Sequence, residues 1–368
     1  MRVKLKDITK FSKGTQINGK NLIDDGAYSY LNGGINPSGK WNEFNVAENT
    51  VTISEGGNSS GYVNYMNKAF WCGAHCYYLY DGPKNSKYLY YALKSQQERL
   101  FRIRSGACMP NIKKSDLGNF IIEYEEDETR QEEVVKVLEK CELLVEDYNK
   151  KLALLDEAVR ARFVEMFGDP VDNPMNWKKK KLKDIVTEDC TISYGIVQTG
   201  EEQKEGIPVF RPVDIVNHTP KVEELKKTTE FISDRYKKTL LKGHELLITV
   251  RANIADTFIA DKEFMGCNVG RGIVPIRTQE DIMRLEFLKC LIDNKHLNDI
   301  LKSKAKGITL IQLNMEDLRN VELIIPPIDL QIDYLKYSRL IDKSRSRIQK
   351  SLEASQELFD SLMQEYFG

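Results

Sequence analysis

The stretch QEEVVKVLEKCELLVEDYNKKLALLDEAVRARFVEMFG, from Gln131 to Gly168, has no proline, and its one glycine is its last residue, where a helix C-terminal cap belongs. Apolar residues recur at alternating three- and four-residue steps through Val134, Leu138, Cys141, Val145, Tyr148, Leu152, Leu155, Val159 and Met166, interrupted only by Arg162. That spacing predicts one long helix with a coiled-coil seam. Shifting the chain by 200 positions lays the stretch on Gln331–Gly368: Gln131 falls on Gln331, Lys136 on Lys336, Lys150 on Lys350, Glu165 on Glu365, and Phe167-Gly168 on Phe367-Gly368. The duplicate supplies a partner within the same chain, so no second copy of the protein is required. Connectivity predicts antiparallel pairing, since the first helix leads away from one lobe and the second can return to it.

The repeat divides the 368 residues into two similar halves. No apolar run approaches the roughly 18–20 residues that cross a bilayer, and MRVKLKDITKF has no signal-peptide core. Seven cysteines, an odd number without small-scaffold spacing, point to a reducing cytoplasm. Net charge is −1, but it is uneven: residues 1–124 hold 16 Lys+Arg against 10 Asp+Glu, and residues 125–168 hold 7 against 13. A basic first lobe suits a polyanionic partner and equally suits a solvated surface.

Lys4-Leu5-Lys6-Asp7-Ile8 opens the first lobe and recurs word for word as Lys181–Ile185. Short β-branched and aromatic runs such as Val51-Thr52-Ile53 and Cys76–Tyr80 read as strands, with a helix expected over 87–104. Asp169-Pro170 and Asn173-Pro174 read as linker breakers. In the second lobe strands are expected at Ile207–Arg211, Leu246–Val250 and Gly272–Ile276, and a helix over 281–302. Gly307–Leu318 matches Gly106–Leu117 at an offset of 201, keeping Gly106/Gly307, Asp116/Asp317 and Leu117/Leu318. Start, end and following helix repeat, whereas the middle of each lobe does not. Such a frame suits a scaffold presenting two different readers; drifted loops on an old duplication are the alternative.

Catalytic readings find little support. Cys72-Gly73-Ala74-His75-Cys76 has the residue types of a metal site but no second cluster to complete four ligands, and buried cysteines explain it better. No Gly-x-x-x-x-Gly-Lys-Ser/Thr string is present, and Asn173-Pro174-Met175-Asn176 departs from the Asn-Pro-Pro-Tyr type of amino-methyltransferases after its proline. The acidic run Glu125–Glu128 leads into a helix, where it favours the positive end of the macrodipole. No catalytic residue, cofactor or metal is expected.

The order KLKDI, a glycine-rich β lobe, the closing segment GITLIQLNMEDLRNVELIIPPIDLQ and a long helix ending in FG, each occurring twice, resembles the specificity subunit of type I restriction-modification systems. The resemblance covers essentially the whole chain; its most specific pieces are Thr249–Gly272 with Gly195–Gln198, and Ile53–Leu79. It implies an α+β protein in which two mixed α/β target-recognition domains, 1–125 and 178–326, are held by the helices 126–168 and 327–368 in an intramolecular antiparallel coiled coil, with a linker at 169–177. It further implies a non-catalytic reader of bipartite double-stranded DNA that directs methyltransferase and restriction/translocase subunits. One departure is that the second lobe ends Ile325-Pro326-Pro327 where the first has Tyr124-Glu125-Glu126, which leaves the first helix free to exit at a different angle.

A helix of 38 residues is roughly 57 Å long, so such a spacer reaches up to about 17 base pairs of DNA. Ser338, Arg345 and Ser355 replace Leu138, Val145 and Leu155 in the second seam, either fixing register, facing another subunit or simply lying in solvent. Base reading needs donors and acceptors on loops, Arg and Lys favouring guanine, Asn and Gln favouring adenine. First-lobe candidates are Lys13, Gln16, Asn32, Lys40, Asn42, Asn58, Ser59, Tyr62, Arg102 and Arg104. Those of the second lobe are Tyr194, Gln198, Arg211, Asp214, Asn217, Arg251, Asn253, Arg271 and Lys306. The competing reading is a coiled-coil scaffold whose lobes bind proteins; steep salt dependence of DNA binding would separate the two.

Overall fold

The computed structural model describes residues 1–106, 108–216, 220–307 and 311–368. The helix expected over 131–168 runs from Glu128 to Phe167, and its copy from Ile328 to Phe367. Gly168 follows the first in the left-handed region at φ 71°, its N–H bonded back to the Val164 carbonyl at 2.8 Å. Glycine adopts that conformation without a Cβ clash, which is why the helix stops there. Among the described residues no helix is long and apolar enough to cross a membrane.

Contacts divide the chain into two units, and each long helix contributes to both: unit 1 is Met1–Leu152 with Arg347–Gly368, unit 2 is Ala153–Ser346. In unit 1, Val134 and Leu138 from the early part of the first helix share a core with Met363 and Phe367 from the late part of the second. In unit 2, Phe163 and Phe167 meet Tyr334 and Leu335 from the early part of the second helix, and Phe287 of the lobe packs against the rings of Phe163, Phe167 and Tyr334. Within each unit the two helices therefore run antiparallel. The polar replacements in the second seam are half-buried rather than solvated. Arg345 reaches across to Asp156 of the first helix at 2.6 Å.

Each helix is fastened to its lobe by a buried glutamine at the same place. Gln131 donates to the Glu125 carbonyl and the Tyr124 hydroxyl at 2.6 and 3.0 Å. Gln331 donates to the carbonyls of Pro326 and Ile282 at 2.9 and 3.0 Å and accepts from the Arg284 N–H at 3.0 Å. A buried amide with these bonds fixes where the helix leaves the lobe.

The described residues of the unit 1 lobe form three sheets. A ribbon pairs Arg2–Lys4 with Ile121–Glu123. An antiparallel sheet carries Lys10–Lys13, Cys76–Tyr80, Thr50–Ser54 and Val63–Met66 in that spatial order, and a mixed sheet carries Gly39–Trp41, Tyr28–Leu31 and Phe70–Cys72, the last pair parallel. Unit 2 repeats this plan. Its ribbon joins Lys179–Lys181 to Glu322–Ile324, its antiparallel sheet is Asn253–Ala260, Glu245–Arg251 and Ile273–Ile276, and its mixed sheet is Lys226–Thr228, Ile207–Phe210 and Asn268–Val269, again ending in a parallel pair. The lobe interiors, which show no match in sequence, thus share the order and direction of three antiparallel and three mixed-sheet strands; the Lys10–Lys13 edge strand of unit 1 has no counterpart among the described strands of unit 2.

The helices expected over 87–104 and 281–302 are each two helices: Ser86–Ser95 and Gln97–Arg102, then Leu285–Asp293 and Lys295–Lys304. The Asn294 side chain accepts from the N–H groups of His296 and Leu297. It caps the second helix at the cost of continuing the first. The 169–177 segment is folded down rather than extended: Asn173 and Trp177 exchange bonds of 2.9 Å, and the Trp177 indole donates to the Phe167 carbonyl at 3.0 Å.

Candidate nucleic-acid interface

The antiparallel sheet of unit 2 ends in a tight hairpin whose tip is Arg251-Ala252-Asn253. Ala252 lies in the left-handed region at φ 65°, an unusual place for a residue with a Cβ. The tip is held by the closing segment of the lobe. The Ala252 N–H donates to the Ile311 carbonyl at 3.1 Å, the Leu313 N–H to the Val250 carbonyl at 2.9 Å, and Lys306 and Gln312 exchange two backbone bonds of 3.0 Å. Close approach also matters beneath the tip, since a Cβ on Gly272 would lie 2.5 Å from Pro212 and 3.4 Å from the Arg251 side chain. Candidates Arg251, Asn253 and Lys306 are therefore brought to one edge, with Arg271 beside Gly272. Asn253, Arg271 and Lys306 are exposed. Tyr194 joins them through Gln312, whose amide donates to its hydroxyl.

Unit 1 builds the same frame. The Gly57 N–H donates to the Pro110 carbonyl and the Ile112 N–H to the Glu55 carbonyl, both at 2.9 Å, and Ser105 and Asn111 exchange two bonds of 2.8 Å. Gly57, at φ 78°, stands where Ala252 stands, Ser105 where Lys306 stands, Asn111 where Gln312 stands and Asn58 where Asn253 stands. Asn58 is exposed, while Ser59 is turned inward to the Gly33 carbonyl at 2.5 Å. Around this tip Lys13 pairs with Glu55 at 2.6 Å, Asn32 accepts from the His75 N–H at 3.3 Å, and the Tyr62 ring carries the Lys94 ammonium 3.8 Å from its centroid. Arg104 adjoins Ser105 and lies over the Phe101 ring at 3.9 Å; Arg102 is exposed at the end of its helix.

Other candidates lie elsewhere. Gln16 bonds the neighbouring Ile17 carbonyl at 3.1 Å. Lys40 and Asn42 are exposed at the Gly39–Trp41 edge of the mixed sheet, and Gln198 is exposed in the loop before the Ile207–Phe210 strand. Arg211 and Asp214 are bound to each other through two side-chain bonds, of 2.5 and 3.0 Å, and Asp214 also caps the Arg211 N–H at 2.7 Å. Asn217 lies outside the described residues. Asn111 and Gln312, which stand on the frame itself, escape the sequence reading because they fall in the segment that reads as repeated framework. The signal available was their place among matched residues, where the type changes from Asn to Gln.

Electrostatics away from the tips is structural. Glu245 is fully buried and accepts from the N–H groups of Lys242, Gly243 and His244 at 2.7–3.0 Å and from Arg277 at 3.1 Å. Asp189, bonded to Lys242 and Thr187 and facing Arg277, is held well below the usual carboxylate range by those partners, Lys242 foremost. Cys72 and Cys76 are buried together, and the neighbouring thiol and burial keep the Cys72 thiol far above its ordinary value, hence neutral. His75 is exposed and faces Glu55 at 3.5 Å; it does not converge on the cysteines.

Comparison with known proteins agrees with this duplicated geometry. A putative type I specificity subunit of Mycoplasma pneumoniae is 36% identical over 197 residues, which is 52% of this chain and 51% of that protein, so the match spans about half the relative's length. A second, of Mycoplasma genitalium, is 24% identical over 384 residues, covering 96% of this chain and 90% of that one. The crystal structure of a type I restriction-modification S subunit from M. genitalium superposes with a TM-score of 0.68 over 100% of this chain and 96% of its own, at 20% identity. A chain from a structural study of type I R-M complex assembly and conformational transition gives 0.55 over 99% and 96%, at 17% identity; both likenesses speak to the fold. The model of the type I restriction modification DNA specificity domain matches twice, over residues 1–155 and 174–354, and on that double match the chain belongs to the type I restriction modification DNA specificity domain family.

Proposed function

We propose that this chain is the sequence-reading subunit of a type I restriction-modification complex, non-catalytic itself, in which each unit reads one half of a bipartite duplex site and the helices dock methyltransferase and restriction subunits. The observation that carries the reading is the duplicated tip: one backbone frame, built twice with the same hydrogen bonds, presents different polar side chains in the two units. Invariant backbone with variable donors and acceptors is what two readers of different short sequences require. Bases lying between the two half-sites would go untouched.

The test is selection from a random-sequence duplex library by the chain in complex with its methyltransferase subunits. A selected motif of two short blocks separated by unspecified bases is expected, and the affinity should fall steeply from about 50 to 200 mM salt. Failure to enrich any bipartite motif would overturn the proposal and leave the protein-binding scaffold as the better account.

A further inference from the structure

We infer that Gln312 and its counterpart Asn111 are base-reading side chains, each set to read an adenine in the half-site of its own unit, and that Tyr194 and Ser105 are the positioning residues that orient them. The inference rests on the proposed reading of the chain as a DNA reader and assigns roles that neither composition nor motif suggests. Both residues occupy the place where the closing segment crosses behind the hairpin tip. Both backbones are pinned by reciprocal bonds, Gln312 to Lys306 at 3.0 Å and Asn111 to Ser105 at 2.8 Å. Their side chains are thus placed by the frame and not by a free loop.

Orientation follows from the hydroxyl partners. The Tyr194 hydroxyl has one proton, which it donates to the Leu313 carbonyl at 3.5 Å, so toward Gln312 it acts as an acceptor and takes one N–H of the amide. Among the described residues the Gln312 carbonyl oxygen and its second N–H meet no further partner, and they are the groups offered to a ligand. In unit 1 the Ser105 hydroxyl donates to the Asn111 side-chain oxygen at 2.9 Å. Among the described residues that leaves both amide N–H groups and a second lone pair on the oxygen. Each amide therefore keeps an acceptor and a donor side by side, the pair that matches N6–H and N7 of adenine in the major groove. The neighbouring amides of Asn253 and Asn58 are exposed at the tips, so each tip has more than one side chain to contribute.

The experiment uses the full chain with its methyltransferase subunits and scores base preference at every position of the selected site. With Gln312→Ala, the adenine preference at one position of one half-site, on the order of tenfold or more in the parent, should fall to about twofold or less. Asn111→Ala should do the same at one position of the other half-site. Neither should alter the salt slope, which phosphate contacts set. Tyr194→Phe keeps the ring but frees the amide; it should weaken preference at the Gln312 position alone without lowering the melting temperature to match. The inference is overturned if both alanine variants keep every positional preference, or if they weaken all sequences uniformly. If the parent complex itself enriches no bipartite motif, the underlying reading falls first and takes this one with it.

Discussion

Gln131 and Gln331 sit at matched points where helix meets lobe, yet their bonding differs, and the difference predicts unequal consequences. Gln331 uses both ends of its amide, whereas the Gln131 side-chain oxygen is buried with no partner among the described residues. Gln331→Ala should destabilise unit 2 by about 1–3 kcal/mol, and Gln131→Ala should cost unit 1 less. Denaturant titration resolves the two, because Trp177 belongs to unit 2 while Trp41 and Trp71 belong to unit 1. Arg277→Ala would take the cationic partner from the buried Glu245 carboxylate, leaving it its three backbone N–H donors, and should cost about 3 kcal/mol; an unchanged midpoint would contradict that role. Asp189 adds a pH dependence. Its folded-state value is depressed, so its contribution is complete above the ordinary Asp value of about 4 and is lost as pH falls toward the folded value. The stability gap between the parent and Asp189→Asn should therefore shrink between pH 7 and pH 3. None of these residues announces itself in the sequence: a buried Glu and a surface Glu are spelled alike, and only the fold tells them apart.

At the level of elements, the long helices were legible because 3/4 spacing over some forty residues has no competing explanation, and the terminal glycine marked the first helix's end to the residue. The breaks at Gln96 and Asn294 were not, since neither residue forbids a helix; Asn294 acts through its capping bonds, which depend on the turn already being there. The repetition of the sheets is invisible in the sequence for a related reason. Strand pairing preserves which face is buried and lets identity drift, so Leu246-Leu247-Ile248 and Val51-Thr52-Ile53 occupy equivalent central strands without a match. Packing makes the helix ends the most sensitive points. Phe167 and Phe367 are both almost fully buried, and replacing either by Ala should cost about 3–5 kcal/mol. The loss should fall on unit 2 for Phe167 and on unit 1 for Phe367, which domain-resolved proteolysis would report.

For the molecule as a whole, the units are interleaved along the chain: unit 2 is one continuous segment, and unit 1 is closed by residues that come after it. Removing 347–368 should accordingly melt unit 1, by stripping Phe359, Met363 and Phe367 from its core, while unit 2 keeps its own transition in calorimetry. A single shared loss of both transitions would contradict this division. The same interleaving sets an order on biosynthesis. Domains ordinarily fold as they emerge from the ribosome, the N-terminal one first. Here the segment made first must wait with an open hydrophobic face until the segment made second has been completed and the closing stretch has followed it out. Newly made chains should therefore show a protected second unit before a protected first one, and a ribosome stalled anywhere before residue 347 should carry a first unit that chaperones still recognise.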